Sequence, residues 1–131
     1  MLRSVAGVAE QDGKFFVALR KSGTSIGERW EFPGGKPQPG ESDKEALQRE
    51  YHEELGVKIN VGELLCSGQF ENKGSNYKLN AYSITFLSER VFLKEHSRVM
   101  WVNIDELGAL DMAYSDRIIL KVLKEKKKEK H

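Results

Sequence analysis

The stretch from Gly35 to Val57, GKPQPGESDKEALQREYHEELGV, constrains this chain more than any other. Its second half reads as a helix with both ends marked. Ser42 is a good N-cap, and Glu45 three residues on completes a capping box. Gly56 stands where a left-handed glycine ends a helix. At about 100° per residue, Glu50, Glu53 and Glu54 share one face, with Leu47, Tyr51 and Leu55 as an apolar stripe beside it. Glu50 and Glu54 form an i,i+4 like-charge pair, which costs about 0.2–0.5 kcal/mol on an open helix. Such crowding makes sense around a hard cation. Mg²⁺ takes oxygen ligands and keeps waters that a phosphate can displace. Glutamate is also a strong helix former, so these residues alone could be a solvated face; the surrounding spacing decides between the two.

The rest of the chain supplies mostly strands. Leu2 to Ala9 is apolar and β-branched, Asp12-Gly13 is a turn signal, and Lys14 to Leu19 returns as a second strand. Arg20 to Arg29 is polar, with Gly23 and Gly27, and reads as a loop. Trp30 to Phe32 is a short extended segment. Pro33, Pro37 and Pro39 make the run into the helix an irregular ordered loop and not a strand. After the helix, Val57 to Phe70 alternates as one long strand or two short ones, with Gly62 as a break. Glu71 to Asn76 reads as a hairpin turn, and Tyr77 to Leu87 and Arg98 to Asn103 as strands. Asp105 to Leu107 reads as a helical turn. Ser115 is placed to cap a last helix whose buried side carries Ile118, Ile119, Leu120, Val122 and Leu123. Several strands with one central and one C-terminal helix suggest an α+β or α/β/α sandwich around a mixed sheet.

At 131 residues the chain fits one domain, 1–131, with residues 124–131 expected as a frayed lysine-rich tail. The formal charge is +1, and the tail holds five lysines against two glutamates, so the body is near −2. No global field favours a long nucleic acid or a membrane surface. No apolar run is long enough to span a membrane, and Cys66 is the only cysteine, so no internal disulfide framework exists. A reducing cytoplasm fits best.

Gly35, five residues, Glu41, seven residues, Arg49-Glu50, two residues, Glu53-Glu54, one residue, Gly56 and Val57 resembles the Nudix box at every polar and glycine position. Tyr51 departs from it, standing where the family usually has an aliphatic residue. It lies on the apolar stripe, so the departure bears on packing and not on chemistry. The resemblance implies a Nudix-type α/β/α sandwich with a central mixed β-sheet. It also implies Mg²⁺- or Mn²⁺-dependent hydrolysis of a nucleoside diphosphate linked to another group. By the same resemblance Glu50, Glu53 and Glu54 are metal ligands, and the Gly35 carbonyl is a further one. Glu53 ranks first as base, and Glu41 supports the site through water or hydrogen bonds. Arg49 pairs with a box glutamate and holds its orientation, unless it is a plain surface partner of Glu45 or Glu53.

The run WEFPGGK resembles the MutT-like branch, which acts on nucleoside triphosphates, oxidised ones included. That likeness implies a nucleotide contact for Arg20, fourteen residues before Gly34; the alternative is a solvated strand end. It implies an extra carboxylate in the loop before Trp101, matched by Glu95, as metal ligand or base; the alternative is an ordinary loop charge. It implies a base-reading residue at the start of the last helix, matched by Asp116, although Asp is favoured there by the helix dipole in any case. Phe32 is a substrate-contact candidate, while it, Trp30 and Trp101 also read as core. His96 reads as structural or solvated, and His52 faces away from the carboxylates. The expected substrate is a purine dNTP or its 8-oxo form, cleaved to monophosphate and pyrophosphate. CTP-type nucleotides, nucleotide sugars and RNA 5′ ends remain open, and so does the oligomeric state. A non-catalytic, ligand-sensing Nudix module is the competing class, but such a module would be expected to lose box carboxylates that are all present here.

Overall fold

The computed structural model describes residues 1–21 and 28–129. Its axis is β1 (Leu2–Gln11), which is buried on both faces through its middle. β1 turns through Asp12 and Gly13, both at positive φ, into β2 (Lys14–Arg20). That geometry is the tight turn which Asp-Gly favours. β3 (Trp30–Glu31) and β7 (His96–Val102) flank β2 on either side, both antiparallel to it. On the other side of β1 runs β6 (Ser75–Phe86), parallel to it, and then β5 (Ile59–Asn72), antiparallel to β6. The result is a seven-stranded mixed sheet.

The helices cover its two faces. α1 (Asp43–Leu55) packs on one, burying Ala46, Leu47, Tyr51 and Leu55 against Val5, Ala9, Phe16 and Ile84. α2 (Ile104–Ala109) and α3 (Asp116–Glu129) cover the other, with Leu107, Ile119 and Leu123 against Ala6, Val8, Val17 and Leu79. Neighbouring β1 residues thus serve opposite cores, as the period of a strand requires. This is the mixed-sheet α/β/α sandwich expected from the sequence.

α1 ends as its sequence indicates. Ser42 Oγ accepts from the Glu45 amide at 3.1 Å, Glu45 returns the bond to the Ser42 amide at 3.0 Å, and Gly56 closes the helix at φ 66°. Tyr51 fits because its ring faces Gly7, where any Cβ would meet the Tyr51 hydroxyl at 2.9 Å, and that hydroxyl donates to the Gly7 carbonyl at 3.0 Å.

Three expectations need correction, and a fourth resolves to one of its two alternatives. The proline-rich run contains a short strand after all, β4 (Gly34–Gly35), paired with β1. Of the two readings of Val57 to Phe70, the single long strand holds: β5 is unbroken, and its first register shift, between Val61 and Leu64, falls at Gly62. The hairpin turn is only Lys73-Gly74, and Asn72 already pairs with Ser75. The tail is not frayed from Lys124: α3 continues to Glu129, its exposed lysines sitting at the helix end where the dipole favours cations. Most of the expected loop between Arg20 and Arg29, residues 22–27, lies outside the described residues.

Candidate active site

The two glycines of β4 are steric requirements. A Cβ on Gly34 would lie 1.9 Å from the Val5 carbonyl oxygen, and one on Gly35 would lie 2.6–2.9 Å from the Glu50 carboxylate. The bare backbone of Gly35 lets the carboxylate of α1 close onto the strand.

Arg49 organises that carboxylate face. Its guanidinium donates to both oxygens of Glu41 at 2.8 and 3.0 Å, to Glu50 at 2.8 Å, to Glu53 at 3.1 Å and to the Lys36 carbonyl at 3.2 Å. A planar fork of five donors suits this task, which a lysine could not perform. The bonds from Arg49, followed by that from the Gln38 amide, hold the Glu41 carboxyl down at about 2. Glu41 is therefore a fixed anion that anchors Arg49, and Arg49 in turn orients Glu50 and Glu53. The side chain of Glu53 remains 55 % exposed, more open than those of Glu50 and Glu54.

Glu54 faces inward and is 8 % exposed. Its Oε2 has no hydrogen-bond partner among the described residues. Burial first, then the nearby charges of Glu31 and Glu50, push its carboxyl up to about 9 in the cation-free protein. Beside it lie Glu31 and His96, with ligand atoms from all three mutually within 4.8 Å. Glu31 is clamped twice, by Arg20 Nε on Oε1 at 2.6 Å and by His96 Nε2 on Oε2 at 2.8 Å.

A cleft of about 340 Å³ opens next to this cluster. Its lining includes Gly35 and Lys36 of the segment that leads into α1, Arg20 and Glu31, and Phe32, Tyr114 and Asp116. The loop before α3 is tied to β3 by Trp30 and Ala113, whose amides donate to Asp111 and Trp30 at 3.0 and 2.8 Å. That tie delivers Asp116 to the cleft floor. Asp116 is 6 % exposed and accepts from the Phe32 amide at 3.1 Å. Burial first, then Glu31, push its carboxyl well above the ordinary value near 3.8.

The structure thus gathers Gly35, Glu41, Arg49, Glu50 and Glu53 in one network. Glu54 sits at its inner edge, and Arg20, Phe32 and Asp116 line the adjoining cleft. Phe32, 2 % exposed, is core as well as lining. Glu95 is exposed, and its neighbour His96, buried and not solvated, is the loop residue that joins the inner cluster. Glu31 and His96 were not singled out as site residues from sequence. The available signal was an acid between two aromatics in a segment reading as buried, since an enclosed carboxylate demands partners.

The donor set suits a hard divalent ion. Carboxylate oxygens of Glu50, Glu53 and Glu54 and the Gly35 carbonyl could supply oxygen ligands, and the unpartnered, buried Glu54 Oε2 is an atom that a cation would satisfy. Beside the cleft, such a set could neutralise a charged leaving group and activate a water.

The sequence profile described as NUDIX domain matches residues 1–123. The chain is 35% identical over 116 residues to a CTP pyrophosphohydrolase of Escherichia coli, covering 88% of this chain and 86% of that protein. It is 33% identical over 116 residues to a putative 8-oxo-dGTP diphosphatase 2 of Mycobacterium tuberculosis, covering 86% and 81%. The solution structure of the E. coli ORF135 protein superposes with a TM-score of 0.84 at 34% identity, covering 95% of this chain and 89% of that one.

Proposed function

This chain belongs to the Nudix family of hydrolases, and on that premise we propose that it cleaves a nucleoside triphosphate to the monophosphate and pyrophosphate, acting as a single domain in the cytoplasm. The observation that supports this reading is a cleft whose lining includes both Gly35, against which the Glu50 carboxylate packs, and the buried acid Asp116. No described helix is long and apolar enough to cross a membrane.

Gly35, Glu50, Glu53 and Glu54 would hold Mg²⁺ or Mn²⁺, which when bound neutralises phosphate charge and lowers the pKa of a water. Arg49 fixes Glu50 and Glu53 without touching substrate, and Glu41 fixes Arg49. Glu53, more open than Glu50 and Glu54, takes the proton of the attacking water. Glu95, exposed in the loop whose Lys94 amide donates to the Glu54 carbonyl, would serve as an additional carboxylate. Arg20, held by Glu31, presents its remaining guanidinium donors to the nucleotide. Phe32 and Asp116 receive the base.

The first substrate reading is a purine deoxynucleotide, above all 8-oxo-dGTP. A second, CTP, is favoured by the raised carboxyl of Asp116. A neutral acid presents one donor and one acceptor. That pair complements O6 and N7–H of 8-oxoguanine, and equally N3 and N4–H of cytosine. The test is a nucleotide screen with Mg²⁺ that measures pyrophosphate against orthophosphate. Pyrophosphate release from 8-oxo-dGTP or CTP is expected. Turnover confined to nucleotide sugars or diphosphates would overturn the reading.

A further inference from the structure

We propose that Glu31, Glu54 and His96 form a cation position with a nitrogen ligand, suited to a first-row transition ion such as Mn²⁺ in preference to Mg²⁺. The three residues come from β3, α1 and the start of β7, and their ligand atoms converge within 4.8 Å. Arg20 occupies Glu31 Oε1 and leaves Oε2 facing His96 Nε2 at 2.8 Å. Donor atoms about 3 Å apart have the spacing of neighbouring ligands on an ion with bonds of roughly 2.1 Å.

A hydrogen bond alone explains that pair, but it does not explain Glu54. One of its carboxylate oxygens lies in the same cluster, the residue is 8 % exposed, and its Oε2 has no partner among the described residues. A buried carboxylate oxygen left in that state is costly, and an ion between it and the Glu31–His96 pair would satisfy it. Arg20 balances Glu31, so the Glu54 carboxylate is the group whose charge a divalent ion would meet. His96 would bind through Nε2 as neutral imidazole; its Nδ1 is buried and has no partner among the described residues. Imidazole discriminates against Mg²⁺, which prefers an all-oxygen shell, and accepts Mn²⁺, Co²⁺ or Zn²⁺.

This inference rests on Glu54 being a ligand in the proposed hydrolase site. The test is Mn²⁺ titrated onto the nucleotide-free protein and read by electron spin echo envelope modulation. A directly bound ¹⁴N is expected, changing to the ¹⁵N pattern with ¹⁵N-histidine and disappearing in His96→Gln. If His96→Gln does not fold, the His52→Gln, His131→Gln double variant leaves His96 as the sole histidine of three, and its ¹⁵N coupling must persist. Absence of nitrogen coupling at a Mn²⁺ occupancy that supports hydrolysis overturns the inference, as does coupling that survives His96→Gln. In either case Mg²⁺-dependent hydrolysis would leave the proposed function standing, whereas failure to bind any divalent ion would remove both.

Discussion

Asp116 offers the sharpest test, because two substitutions separate its chemistry from its shape. Burial and the charge of Glu31 raise its enclosed carboxyl well above the ordinary value near 3.8, which favours the neutral form. Asparagine reproduces a neutral acid, with one acceptor for the Phe32 amide and the base and one donor for the base; alanine offers neither. An unpaired buried donor or acceptor costs about 1–3 kcal/mol, or roughly 5- to 150-fold in kcat/KM. Asp116→Ala should therefore lower kcat/KM by that factor for the preferred nucleotide and much less for poor ones. Asp116→Asn should keep the wild-type ranking. The assay is kcat/KM for 8-oxo-dGTP, dGTP, CTP and dATP in the three proteins. A uniform fall across all four in Asp116→Ala, or an asparagine variant as indiscriminate as the alanine one, refutes base reading by a neutral acid. The same carboxyl predicts a pH dependence. A folded-state pKa raised above the unfolded value contributes stability that is complete below the ordinary value near 3.8 and is lost as pH rises toward the raised folded value. The melting temperature of Asp116→Asn should thus gain on wild type between pH 5 and pH 8. A gap that stays constant would show that the acid is not held neutral.

Four further outcomes are expected. Mg²⁺ should raise the melting temperature, because it binds only the folded carboxylate cluster, and full activity in excess EDTA would sink the metal assignment. Glu53→Gln should cost at least ~10²-fold in kcat, the scale of a general base, while Glu45→Gln keeps the cap and should change the rate little; equal losses would show that the wrong face of α1 was chosen. Gly35→Ala should abolish most activity by displacing the Glu50 carboxylate, which a new Cβ would approach to 2.6 Å, and wild-type turnover would mean that Glu50 does not need that close approach. Tyr51→Phe strips the buried Gly7 carbonyl of a donor and should lower stability by roughly 1–3 kcal/mol at unchanged kcat; calorimetry and steady-state rates together check both halves.

Local pattern made α1 and its carboxylate face legible. A capping box, a C-terminal glycine and helical spacing are all contained within fifteen residues, from Ser42 to Gly56, so nothing distant was needed to place Glu50, Glu53 and Glu54 together. The inner cluster could not be read in the same way. Glu31 and His96 are 65 positions apart, and they meet only because β2 runs between β3 and β7. Ala18 pairs with Glu31 and Arg20 with His96, two residues further along the same strand. That neighbourhood depends on strand order, which hydrophobic alternation does not encode. The sequence pointed instead to Glu95, one residue before the side chain that the β2–β7 pairing turns inward, and a shift of one residue along an extended chain reverses the face on which a side chain lies. Asp116 was legible as a residue but not in its role. A first-turn aspartate would satisfy helix amides, yet its Oδ1 instead takes the Phe32 amide, 84 positions away. The carboxyl therefore belongs to the cleft and to β3 more than to the helix that carries it. This is the arrangement expected of a group held to recognise something other than its own backbone.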